Sequence, residues 1–180
     1  MNSDPAKYNA EDADGALSDA DYRAVCAFLF REAELLAAQD YRAWLGLLAP
    51  QIVYRVPLQV FRKRGEERTY GADPAWFDET HASLAIRVEQ LLHPASNAQK
   101  VPNFLRYFVT NIHGEAAGDS LDVRSQVLVI RVRANNPQPF LLSGARHDVL
   151  VRTPAGLRLA RREVSLDMPR LDTPNLAFFL

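Results

Sequence analysis

The chain has 180 residues, with 21 Lys and Arg against 22 Asp and Glu, and its 48% hydrophobic and 24% charged content is that of one ordinary globular domain. A formal net charge of −1 with no Lys/Arg block argues against a nucleic-acid or anionic-membrane partner, since both are held mainly through counter-charge. No run approaches the ~18–20 consecutive apolar residues of a membrane helix, and Met1-Asn2-Ser3-Asp4-Pro5 lacks the basic start and apolar stretch of a secretory signal, so the expectation is a cytoplasmic protein.

Residues 1–17 are polar, acidic and Ala-rich without a periodic pattern, and read as a flexible arm preceding one folded unit over 18–180. Ser18-Asp19-Ala20-Asp21 resembles a capping box. Tyr22, Val25, Cys26, Leu29, Ala33 and Leu36 then recur at helical spacing, which predicts an amphipathic helix over about 18–38. Asp40 can cap a second short helix whose apolar stripe is Tyr41, Trp44, Leu45 and Leu48, with Pro50 just beyond it.

Ile52 to Phe61 is rich in β-branched and aromatic residues and predicts a strand, with Pro57 marking an edge or bulge. After a charged loop from Arg62 to Arg68, Asp73-Pro74 places a capping residue before a proline suited to a first helical position. Phe77, His81, Leu84, Val88, Leu91 and Leu92 make the face of that third helix, which ends near His93-Pro94. From residue 103 the period changes to two and predicts strands at roughly 104–113, 121–133, 140–152 and 157–167. Turn-like connections (Gly114 to Gly118, Asn135-Asn136-Pro137, Thr153-Pro154-Ala155-Gly156) make them antiparallel neighbours. Helices followed by hairpin-linked strands predict an α+β domain with the helices on one face of a curved, mostly antiparallel sheet. The sequence ends on Asn175-Leu176-Ala177-Phe178-Phe179-Leu180, whose two Phe and two Leu require burial in this fold or in a partner subunit.

The inventory of chemistry is narrow. With Cys26 alone, the chain cannot house a multi-cysteine zinc site or an iron–sulfur cluster. The four histidines, His81, His93, His113 and His147, show no His-x-x-x-His spacing. Asp78 and His81, three apart on the expected helix, are a weak metal or proton-transfer signal, and a first-turn acid also stabilises the helix dipole. In Arg146-His147-Asp148, strand alternation puts Arg146 and Asp148 on one face, where they can pair with Arg161, Arg162 or Glu163 of the following strand; the functional alternative makes Asp148 or His147 a general base inside the curved sheet. Arg106, Thr110 and Asn111 interrupt an otherwise apolar strand and, if buried, need the partners that subunit contact supplies. Phosphate-binding glycine loops, a Gly-x-Ser-x-Gly elbow and a dinucleotide fingerprint are all missing from the sequence.

Four stretches together carry a family resemblance over about residues 18–180. They are Arg31-Glu32-Ala33-Glu34-Leu35-Leu36 with Tyr41-Arg42-Ala43-Trp44-Leu45; Trp76-Phe77-Asp78-Glu79-Thr80-His81-Ala82; Arg106-Tyr107-Phe108-Val109-Thr110-Asn111-Ile112; and Leu159-Ala160-Arg161-Arg162-Glu163-Val164-Ser165-Leu166-Asp167 with the final six residues. In this order they resemble the small, or beta, subunit of bacterial aromatic-ring-hydroxylating dioxygenases, especially the biphenyl, toluene and cumene branch. The resemblance implies a cone-like fold similar to nuclear transport factor 2 and ketosteroid isomerase, self-association as a trimer, and an α3β3 hexamer. It implies a large (alpha) subunit carrying a Rieske [2Fe-2S] cluster and a mononuclear Fe(II), with electrons from NADH, and a small subunit with no catalytic, metal or cofactor residue of its own. Structural or subunit-contact roles then fall to Arg106, Asn111, Arg146, Asp148, Asp167, Phe178 and Phe179. Pro102-Asn103-Phe104 departs from the Pro-Ser-Arg of many relatives, and the resemblance implies that the missing arginine bears on a contact with the large subunit. The competing expectation is a stand-alone isomerase or dehydratase of the same cone fold, with an Asp or His base and Tyr54 or Tyr107 stabilising an oxyanion.

Overall fold

A computed structural model describes residues 16–58, 75–93, 102–168 and 177–180. Along the chain run α1 (Asp19–Ala37), α2 (Tyr41–Leu45), β1 (Leu48–Pro57), β2 (Ala75–Thr80), α3 (His81–Leu92), β3 (Asn103–Ala117), β4 (Ser120–Arg133), β5 (Asn136–Thr153) and β6 (Gly156–Leu166). The six strands form one sheet in the order β2-β1-β6-β5-β4-β3, antiparallel throughout except where β1 runs parallel to β6.

The helix starts follow from side chains that take up orphan amide groups. Ser18 accepts from the Asp21 amide at 3.1 Å and Asp40 from the Ala43 amide at 3.1 Å, which begins α1 and α2 where the caps predict. The third helix is corrected. Asp73 and Pro74 lie outside the described residues, but Ala75–Thr80 is a strand, with Val53 opposite Thr80 and Arg55 opposite Asp78. The helix begins at His81, where Thr80 and Ser83 cap each other reciprocally. Serine stands there in place of the usual Glu or Gln, so the box does not announce itself.

The loop from Arg62 to Arg68, Asn175 and Leu176 also lie outside the described residues, as does the arm up to residue 15. Ala16 bridges Glu115, and the Leu17 amide donates to the Gly114 carbonyl at 3.2 Å, so the chain enters along the outer edge of β3. The hairpins are longer than expected: β3 continues through Gly114 to Ala117 and turns at Gly118, whose φ of 60° suits glycine.

One core fills the concave side of the sheet. Val25, Phe28, Leu29, Leu35 and Leu36 of α1 and Leu84 and Val88 of α3 meet alternate residues of the strands, among them Val127, Val129, Leu142, Leu150, Leu159 and Val164. Side chains of the opposite parity face outward. The apolar ones concentrate at the β3 end, where Phe104 is 69% and Phe108 53% exposed beside Leu128 and Leu141.

Candidate functional site: a cone closed by an ion cluster and an apolar segment

Inside an apolar core a charge persists only when it is paired and hydrogen-bonded. Glu32 on α1, Asp148 on β5, Arg146 on β5 and Arg162 on β6 all have fully buried side chains. Glu32 stands three residues after Leu29 and four before Leu36, so the apolar stripe of α1 delivers a carboxylate into the cone. Asp148 and Arg162 are register partners on adjacent strands, both of inward parity.

Arg162 uses all five of its N–H donors. Nε and Nη2 bond Asp148 Oδ1 and Oδ2 at 2.8 and 2.7 Å, Nη1 and Nη2 bond Glu32 Oε1 and Oε2 at 2.7 and 2.9 Å, and Nη1 also bonds the Leu180 main-chain oxygen at 2.8 Å. Arg146 adds a longer contact to Glu32 Oε2 at 3.4 Å, and the Trp44 indole N–H donates to Glu32 Oε1 at 3.1 Å. Burial pushes the Glu32 carboxyl up, but Arg162 and Arg146 outweigh it and hold the group below its ordinary value. Burial works against Arg162 too, and Asp148 and Glu32 overcome it, so that guanidinium is held more firmly protonated than a free one. Two acids and two arginines thus form a charge-balanced cluster in which Arg162 is saturated, while Nε and Nη2 of Arg146 are buried with no hydrogen-bond partner among the described residues.

The remaining interior is taken by the last residues of the sequence. Phe178, Phe179 and Leu180 are at most 1% exposed. Phe179 stacks on Trp44 with centroids 4.2 Å apart and takes the edge of Tyr41 at 5.3 Å. Tyr107 Oη donates to the Phe179 carbonyl at 2.7 Å, and Tyr54 Oη accepts from the Leu180 amide at 2.7 Å and donates to its oxygen at 2.8 Å. The apolar terminus is therefore buried in its own fold rather than awaiting a neighbour.

The other sequence-predicted residues separate into two groups. Arg146 and Asp148 share an inward face, as alternation predicts, yet only Asp148 makes the expected cross-strand pair with β6, and Arg146 reaches Glu32 instead. Arg106, Thr110 and Asn111 are exposed in the single chain, where this stretch of β3 turns Leu105, Tyr107 and Val109 inward. Asn111 has φ 52° at a break in register between Thr110 and His113, a left-handed conformation that asparagine tolerates, and its amide bonds Gln126 at 3.0 Å. Asp167 is exposed, with its backbone N–H on the Ser143 carbonyl at 3.0 Å.

The candidate acid–base groups do not converge. Asp148 has both oxygens on Arg162, Tyr54 and Tyr107 are committed to the terminal segment, and His147 faces outward with Nε2 2.7 Å from Asp122. Asp78 lies on β2 rather than a helix, 3.8 Å from Arg55. Among the described residues no group of three or more His, Cys, Asp or Glu could hold a metal, and one cysteine cannot supply the two thiolates of a Rieske cluster. Outside the cone, a groove of about 870 Å³ runs between α1 and β3, with Phe30, Ala33, Phe104 and Phe108 on its walls.

Comparison with known proteins gives this architecture its setting. The family described as ring hydroxylating beta subunit matches residues 31–173. The small oxygenase component of a naphthalene 1,2-dioxygenase system from a Ralstonia species is 34% identical over 162 residues, 87% of this chain and 83% of the relative. The beta subunit of biphenyl 2,3-dioxygenase from Rhodococcus jostii is 29% identical over 160 residues, 84% of each chain. A solved naphthalene 1,2-dioxygenase with indole in its active site superposes with a TM-score of 0.82 at 28% identity, covering 96% of this chain and 95% of that one. The cone architecture extends further, to a scytalone dehydratase-like protein from Novosphingobium aromaticivorans at TM-score 0.62, 16% identity and 81% and 83% coverage, a likeness of fold alone.

Proposed function

The chain belongs to the ring-hydroxylating beta-subunit family, and from that membership we propose that it is the shape-giving member of an α3β3 oxygenase that adds both atoms of dioxygen to an aromatic ring. Three copies form a platform, and each holds a large subunit. The large subunit carries the Rieske cluster and the mononuclear iron, and NADH supplies the electrons through separate carriers. A fixed register between neighbouring large subunits then sets the path from one subunit's cluster to the next subunit's iron. The cytoplasm is the proposed compartment.

The observation that carries the assembly role is the filled cone. A cone enzyme needs an open interior with a free acid or base, whereas here Asp148 and Glu32 are consumed by Arg162 and the space beside them holds Phe178, Phe179 and Leu180. What remains available for interaction is the outer surface. Arg106, Asn111 and Asp167 stand on it, and Phe104 and Phe108 offer apolar area of the kind that marks subunit contacts. Arg146, Asp148, Phe178 and Phe179 act behind that surface by fixing the sheet's curvature.

The test is purification of this chain without a large subunit, followed by elemental analysis, sizing and assay with aromatic hydrocarbons. The expected product is an oligomer without stoichiometric iron and without turnover. Conversion of an aromatic or carbonyl compound that disappears in Asp148→Ala or His147→Ala overturns the reading.

A further inference from the structure

We infer that the interior of the cone is a peptide-binding site occupied in cis, whose ligand class is a short aromatic-aromatic-aliphatic segment read through its main chain. The segment Ala177 to Leu180 belongs to no helix or strand. It is held instead as a bound peptide is held, by side chains that address its backbone: Tyr107 on the Phe179 carbonyl at 2.7 Å, Tyr54 on the Leu180 amide at 2.7 Å, and Arg162 on the Leu180 oxygen at 2.8 Å. Side-chain slots give selectivity. Phe179 lies against Trp44 and under the Arg87 guanidinium, 5.1 Å from its ring, while Phe178 sits 5.3 Å from the Arg131 guanidinium.

Four of the groups that line this site, Arg162, Arg87, Arg131 and Trp44, have partners of their own besides what fills it, while Tyr54 and Tyr107 turn their hydroxyls to the segment itself. Arg162 is fixed by Glu32 and Asp148. Arg87 stacks on Phe77 at 3.8 Å and faces Glu79 at 3.7 Å, Arg131 lies 4.9 Å from Phe140, and Trp44 is tied to Glu32 at 3.1 Å. A receptor whose walls have their own partners is preorganised and keeps its shape when its ligand leaves. The segment therefore opens as a unit without unfolding of the sheet, and the opened site takes the same chemistry in trans.

Hydrogen exchange on the full chain tests the first consequence. The Leu180 amide, although buried, is expected to exchange at least about tenfold faster than Val127 and Val129 in the middle of β4, through a local opening. Equal rates for all three, set by global unfolding, overturn the inference by making the segment part of the common core. The second consequence is tested with the full-length double variant Phe178→Ala/Phe179→Ala and the probe acetyl-Ala-Phe-Phe-Leu. The peptide is expected to raise the melting temperature of the variant and leave the parent chain, whose site is filled, unchanged. A folded variant that gains nothing from millimolar peptide refutes the trans site, and if the variant does not fold the exchange experiment on the parent chain decides.

Discussion

Replacing Arg162 by methionine isolates the element on which the closed cone depends. An unbranched apolar stem is kept as far as the ε position, but all five donated bonds vanish, leaving Glu32 and Asp148 fully buried with Arg146 at 3.4 Å from Glu32 as the surviving ion pair. Breaking one buried pair costs about 3–5 kcal/mol because a charge is left without compensation, and two stranded carboxylates put this variant at the top of that range. Against a total stability of ~5–15 kcal/mol, the expected fall in melting temperature is about 10–20 °C for a chain of this size.

The pH dependence separates stranded charge from lost packing. In the parent chain, burial raises the Glu32 carboxyl and the two arginines more than reverse that, so its folded pKa lies below the ordinary 4.5. A depressed carboxyl contributes stability that is present above the unfolded value and is lost as pH falls through the folded one. In the variant the largest opposing charge is gone and burial raises the Glu32 carboxyl, so the folded variant binds a proton that the unfolded chain has already released. The gap between parent and variant should therefore narrow as pH falls from about 7 to about 5. Thermal unfolding followed by circular dichroism across that interval reads both effects, and a pH-independent loss below about 3 °C refutes the reasoning.

Phe179→Ala removes the ring stacked on Trp44 and should cost about 3–5 kcal/mol in urea unfolding, with an altered Trp44 environment in near-ultraviolet circular dichroism. Phe104→Glu with Arg106→Glu changes the outward face of β3 only, so the isolated chain should melt within about 2 °C of the parent. Association with the large subunit or with further copies should weaken in that variant, as read by light scattering and pull-down.

Local chemistry made much of the fold legible. Ser18 and Asp40 cap the helices they were expected to cap, and the period-two pattern after residue 103 locates four consecutive strands and their antiparallel order. The strand at Ala75–Thr80 was not visible, because Asp73-Pro74 is a strong helix-start signal and a Thr80/Ser83 box is a weak one. The ion cluster was half legible. Asp148 opposite Arg162 follows from alternation across one hairpin, but Glu32 lies 130 residues from Arg162 in the chain, and no local rule joins them. A signal did exist: a glutamate in phase with Leu29 and Leu36 is a charge inside an apolar stripe, and it needs an inward-facing cation such as Arg162, itself in phase with Val164 and Leu166. The terminal apolar residues announced burial without saying where, since Tyr54, Tyr107 and Trp44 meet only after the sheet has curled.

The central claim, that this chain builds the oxygenase and leaves the chemistry to its companion, is tested most directly by expressing it with its large subunit and determining the mass and composition of the purified complex. The account predicts co-purification in equal numbers, at the mass of three copies of each. Large subunits that assemble and turn over equally well without this chain, while it elutes separately, would contradict the account.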